Sequence, residues 1–168
     1  MKILIYAFRP FKKYKKNISE EVVKNLVNKR KFIKVILPIV YKKKYILNKI
    51  KKHQPDIIIG FGQSAGKLIG IERRAKNVFE MERPKGKRVI DPTGPKLYFT
   101  NLNLKKIPGV RISYNAGDYL CNLTMYVILD FIKKENLKTR FAFIHIPKNY
   151  NLKKATKVSQ ELIRNISP

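Results

Sequence analysis

Three side chains in this sequence have the types needed for thiol acyl transfer. Cys121 is the only cysteine, His145 is one of 2 histidines, and Glu72 stands beside Arg73 and Arg74. A thiolate can attack a carbonyl, an imidazole can carry the proton, and a carboxylate can fix the imidazole's tautomer and stabilise its charged form. Each residue also has a plainer reading. Cys121 in "YNAGDYLCNLTMYVILDF" (114–131) is a small apolar residue of the kind usually found buried. His145 in "FAFIHIP" can be a satisfied core residue, and Glu72 in "LIGIERRAKN" an exposed partner of Arg73 or Arg74. The other histidine, His53 in "KKHQP", sits on a lysine-rich helix end, so the choice of base is nearly forced.

The site then depends on the elements that would bring these residues together. "KILIYAF" (2–8), "FIKVILPIV" (32–40) and "DIIIGFG" (56–62) are short apolar runs that predict buried strands. Between them, 19–31 predicts a helix with Val22, Val23, Leu26 and Val27 inward and Asn17 or Ser19 as cap. A second helix is expected over 41–54, with Tyr45, Ile46, Leu47 and Ile50 inward. From 63 to 95 the pattern weakens into loops and short strands, and 96–102 and 110–116 read as strand segments. The most apolar helix spans 118–137, followed by a strand at 140–147 and a closing helix at 152–166.

Strand and helix thus alternate along the chain. That predicts one α/β domain over residues 1–168, with a mostly parallel sheet covered on both faces. His145 falls near the carboxyl end of its strand, the edge where sites assemble in such sheets. If Asp118 or Asn115 caps the helix that follows, Cys121 lies in its first turn. Unpaired N–H groups and the helix dipole there favour an anion.

Composition narrows the class further. A hydrophobic content of 44% is globular. The longest apolar runs, 3–8 and 35–41, are far short of the ~20 residues a bilayer requires, so no membrane association is expected. One cysteine offers no disulfide framework, and a reducing cytoplasm is the expected location. The formal net charge of +27 brings nucleic acid or another polyanion into consideration as a partner. The lysines recur in short clusters without zinc-ligand spacing or an RNP-like aromatic pattern, so they read as a solvated lysine surface in preference to a polyanion-binding one.

Six stretches in order resemble the pyroglutamyl peptidases (pyrrolidone-carboxylate peptidases), a family of intracellular cysteine peptidases. They are "AFRPF" (7–11), "PDIIIGFGQSAGK" (55–67), "ERRAKN" (72–77), "GPKLYFTNL" (94–102), "AGDYLCN" (116–122) and "FIHIP" (143–147). The resemblance implies Cys121 as nucleophile, His145 as general base and Glu72 as the residue orienting His145. It also implies Phe8 and Phe11 bordering the pyroglutamyl ring at a blocked peptide N-terminus, a flat uncharged group suited to aromatic walls. It implies a three-layer α/β/α sandwich with a mostly parallel, mixed, twisted sheet, no metal or cofactor, and a homo-oligomer, dimer or tetramer.

The chain departs from the family at several positions. Lys12 and Lys13 stand where glycines are usual, and Gly66-Lys67 replaces Gly-Arg. Glu82 takes the place of an arginine associated with the oxyanion, with Arg83 adjacent. Asp118 precedes the candidate nucleophile by three positions, and the chain is short around 105–109 and after Pro147. Altered or lost activity, or a basic polyanion-binding α/β protein, are the alternative functions.

Overall fold

The computed structural model describes residues 1–11, 14–27, 32–40, 42–82 and 85–166. In chain order the elements are β1 (Ile3–Phe8), α1 (Ile18–Asn25), β2 (Phe32–Leu37), α2 (Lys44–His53), β3 (Ile57–Ser64) and β4 (Ile69–Glu72). Next come β5 (Arg74–Lys76), β6 (Phe79–Glu82), β7 (Lys85–Arg88), β8 (Leu97–Phe99) and β9 (Val110–Ser113). The chain closes with α3 (Leu120–Lys134), β10 (Arg140–Pro147) and α4 (Leu152–Arg164). Six strands form the central sheet in the order β2-β1-β3-β10-β4-β9. Its pairings are parallel except β10 with β4. Two antiparallel pairs, β5 with β8 and β6 with β7, lie outside it.

Strands β1, β3 and β10 carry long apolar runs because both faces of the sheet are covered. Alternation then sorts their residues between two cores. Ile3, Ile5 and Ala7 pack with Ile57, Ile59, Phe61, Ala142 and Ile144 beneath α1 and α4, where Val22, Val23, Ala155 and Leu162 complete that layer. Leu4, Tyr6 and Phe8 pack with Ile58, Phe141 and Phe143 beneath α2 and α3, against Ile46, Ile50, Leu123 and Val127. This is the expected mixed α/β/α sandwich.

Local departures from the sequence expectation have physical reasons. Helix α1 ends at Asn25, because Leu26 turns to extended backbone while its N–H still bonds the Val22 carbonyl. Val27 is therefore past the helix and 63% exposed, not inward. Residues 28–31 of that expected helix lie outside the described residues. Asn17 is the cap as expected, its side chain accepting from the Ser19 N–H. In α2 only Ile46 and Ile50 are buried; Tyr45 points outward, since a ten-residue helix on a sheet edge buries a narrow stripe. Tyr41 lies outside the described residues. Among the described residues no helix is long and apolar enough to cross a membrane.

Candidate active site

Parity along the strands decides which residues face α3. In β10, Ala142, Ile144 and Ile146 belong to the α1/α4 core, which leaves Phe141, Phe143 and His145 on the α3 side. Register places His145 opposite Gly62 of β3 on one flank and opposite Gly70 of β4 on the other. Both neighbours lack a side chain, so the imidazole lies between two gaps.

The gap at Gly62 is filled from above by Cys121. A Cβ added at Gly62 would stand 2.6 Å from Cys121 Sγ, 2.9 Å from Phe143 and 3.0 Å from His145 Cδ2. The gap at Gly70 is filled by Glu72, which reaches back along its own strand. Glu72 Oε1 is 3.5 Å from where a Gly70 Cβ would be, and 2.8 Å from His145 Nδ1. Glu72 is fully buried and His145 is 7% exposed, so this pair is shielded from water. The reading of Glu72 as an exposed partner of Arg73 or Arg74 is thus overturned. Arg73 donates instead to the Leu102 and Leu104 carbonyls and to Asn103, and Arg74 to the Tyr114 carbonyl.

The charges support one another. Burial works against the imidazolium of His145, but the adjacent Cys121 sulfur together with Glu72 outweighs it and pushes the group up to about 9. Burial also works against ionised Glu72, yet His145, Ser113 and Arg111 together hold the carboxyl below its ordinary value. Ser113 is the register partner of Glu72 on β9. Because Nδ1 is engaged by the carboxylate, the other ring nitrogen is the one available to sulfur.

Cys121 is the second residue of α3, whose N-cap is Tyr119. Its N–H is among the first-turn donors that have no carbonyl one turn back. The expectation that Asp118 or Asn115 caps this helix is not met: no side chain caps it. Asn115 Oδ1 accepts instead from the Gly117 N–H, closing a turn in which Gly117 has φ +78°. Asp118 pairs with the Lys76 and Lys87 ammonium groups, the latter at 2.7 Å. The first turn is tied to the sheet by hydroxyls. Tyr6 donates to Thr124 Oγ1 at 3.1 Å, and Thr124 reaches the Leu120 and Cys121 carbonyls at 2.9 and 3.0 Å. Burial holds the Tyr6 phenol well above its ordinary value, so it stays a neutral donor. Gly60 makes room for Tyr6, whose hydroxyl would lie 2.6 Å from a Cβ at that position.

Phe8 projects to the same face two residues beyond Tyr6, with the two rings edge-on at 5.8 Å. It is 3% exposed and borders a small cavity together with Leu37, Pro38, Ile46, Leu120 and Leu123. Phe11 follows β1 and is half-buried, its carbonyl accepting from the Tyr14 N–H. Lys67 is exposed in the turn between β3 and β4. Lys12, Lys13 and Arg83 lie outside the described residues, and Glu82 ends β6. Among the described residues no group of three or more His, Cys, Asp or Glu side chains could hold a metal ion. Sequence reasoning missed Gly62, Gly70, Ser113 and Arg111. The available signal was glycine inside apolar strand patterns, which marks close approach of another group.

The family model for pyroglutamyl peptidase matches residues 1–159. The chain belongs to the pyroglutamyl peptidase family. These are cysteine-type peptidases. Pyrrolidone-carboxylate peptidase 1 of Caldanaerobacter subterraneus is 36% identical over 170 residues, covering 88% of this chain and 82% of its own. The corresponding Bacillus subtilis protein is 34% identical, covering 87% of this chain and 78% of its own. Among solved structures, a variant pyrrolidone carboxyl peptidase from Pyrococcus furiosus superposes with a TM-score of 0.89 at 25% identity, covering 99% of this chain and 98% of that one. Pyroglutamyl peptidase I from Bacillus amyloliquefaciens gives 0.88 at 29% identity, covering 98% and 94%.

Proposed function

We propose that this chain removes N-terminal pyroglutamate from peptides, with Cys121 as nucleophile, His145 as general base and Glu72 as the residue that orients His145. The observation that carries the reading is the row formed across Gly62 and Gly70: sulfur, imidazole and carboxylate in sequence, with the imidazole fixed by a 2.8 Å bond to a buried carboxylate. With the thiol's proton held on His145, sulfur bonds to the pyroglutamyl carbonyl carbon. The tetrahedral oxyanion is met by first-turn N–H groups of α3, with the Cys121 N–H the nearest candidate. The C–N bond then breaks, the leaving amine takes the proton from His145, and an acyl-enzyme remains. Water adds to the acyl carbon, giving its proton to His145, and the sulfur–carbon bond breaks as pyroglutamate departs. Glu72 stays ionised and balances the imidazolium throughout.

Phe8 and Phe11 border the flat, uncharged ring in this reading. A free nucleophilic thiol suits a reducing compartment, and we assign the chain to the cytoplasm on that ground. A homo-oligomer, dimer or tetramer, is expected from the resemblance and is checked by light scattering. The direct test is release of fluorophore from a pyroglutamyl–coumarin amide by the purified chain. Activity that vanishes in Cys121→Ser supports the reading; no release at any value between about pH 5 and pH 9 rules it out. The same assay run across a salt series, alongside nucleic-acid binding, separates the peptidase from a polyanion-binding protein, whose affinity would fall steeply with salt.

A further inference from the structure

The turn that delivers Cys121 has no side-chain cap, so other contacts must fix its position. Two residues flanking the cysteine supply them, and both grip the same partner. Asn122 is fully buried. Its Oδ1 accepts from the Lys76 N–H at 2.8 Å, and its Nδ2 donates to the Lys76 and Val78 carbonyls at 2.9 and 2.6 Å. This reproduces, with one side chain, the two-way pairing of an antiparallel ladder. On the other flank, Asp118 accepts the Lys76 ammonium, with Lys87 Nζ at 2.7 Å on its second oxygen. The Asp118 carbonyl also accepts from the Glu80 N–H at 2.6 Å. Lys76 closes β5, which begins two residues after Glu72 at the end of β4.

We propose that Lys76 is a positioning residue for the nucleophile: gripped through its backbone by Asn122 and through its ammonium by Asp118, it sets the 118–122 turn against the segment leading from Glu72. Cys121 and Glu72 are thereby held in one frame, with His145 between them. The hydrogen bonds from Lys76 and then Lys87 hold the Asp118 carboxyl below its ordinary value, so the tie persists across the neutral range. The inference rests on the reading of Cys121 as nucleophile. It assigns no substrate contact to Lys76, so its loss acts on turnover and leaves ring binding in place.

The test uses Lys76→Met and Asp118→Asn in the full chain, singly and together. Readouts are kcat and KM on the pyroglutamyl–coumarin amide, and the rate at which iodoacetamide alkylates Cys121. Displacement of a reacting atom by about 1 Å can cost ~10²-fold, so loss of one of two grips is expected to lower kcat by roughly 5–20-fold with KM within about twofold. Alkylation is expected to slow in parallel. The double variant is expected to be no worse than the poorer single one, because both remove the same tie. Lys76→Arg is expected to recover most of the lost kcat. Asn122→Asp loses both amide donors and is expected to be the most damaged; should it fail to fold, the Lys76 and Asp118 variants decide the matter. The proposal is overturned if both single variants keep kcat and alkylation within about twofold while melting earlier, or if their losses add in full. Should the unmodified chain release no fluorophore while alkylation still slows in both variants, the positioning role stands and the peptidase reading falls.

Discussion

The two faces of the central sheet are made from alternate residues of the same strands, yet they differ in kind. Beneath α1 and α4 the central rungs are mostly aliphatic, as in Ile5 with Ile59 and Ala142, and Ile71 with Ile144. Beneath α2 and α3 the rungs alternate bulk with emptiness: Tyr6, Gly60 and Phe143, then Gly62, His145 and Gly70. The first face gains stability from filling space, while the second leaves gaps that only specific groups from outside the sheet can occupy. Parity within single strands thus separates the filled face from the face that gathers Cys121, His145 and Glu72.

Substitutions that break this contrast should differ in size and in readout. Cys121→Ser is expected to abolish turnover, by up to ~10⁶-fold, with thermal stability almost unchanged, as single-turnover and melting measurements would show. Glu72→Gln keeps shape but removes the charge that orients the imidazole; a loss of ~10⁴-fold in kcat is expected, with KM preserved. Gly62→Ala drives a methyl to 2.6 Å from Cys121 Sγ, so the sulfur must move. A loss of about 10²-fold is expected together with slower alkylation by iodoacetamide. On the opposite face, Ile144→Ala is expected to cost about 2–5 kcal/mol of stability by denaturant titration while turnover per folded molecule holds.

The smallest expected effect is on pH dependence. His145 is raised from 6.5 to about 9, so the folded state binds its proton more tightly than the unfolded chain does. The resulting stability is complete below 6.5 and is lost as pH rises through about 9. Glu72 is lowered, so its contribution is present above its ordinary value and is lost as pH falls below it. Melting curves across the neutral-to-alkaline window should decline in the unmodified chain and flatten in His145→Gln. A decline equally steep in that variant would mean that another group governs the window.

Much of this division was readable in the sequence, and the exceptions follow one cause. Continuous apolar runs identified β1, β3 and β10 because strands covered on both sides need no polar residues. The position of His145 near the end of its strand was also visible. Strand β4 was not recognised, since "IGIE" is only four residues long, ends on a carboxylate and sits among glycines and charges. Missing it left Glu72 looking like a surface residue. The helix cap was misjudged because Asp and Asn before a helix usually cap it, whereas here Asp118 is drawn off by two lysines distant in sequence. Local patterns carry the scaffold; contacts between distant segments decide what lines the site.

The alternation that aims His145 toward α3 also sets which insertions and deletions the gene can tolerate. One residue gained or lost between Phe141 and His145, while the rest of β10 keeps its register, would turn the ring into the aliphatic layer, and no nearby substitution could restore it. Length changes should therefore accumulate in the connections between elements, with the strands beside the sulfur acting as fixed-length rulers.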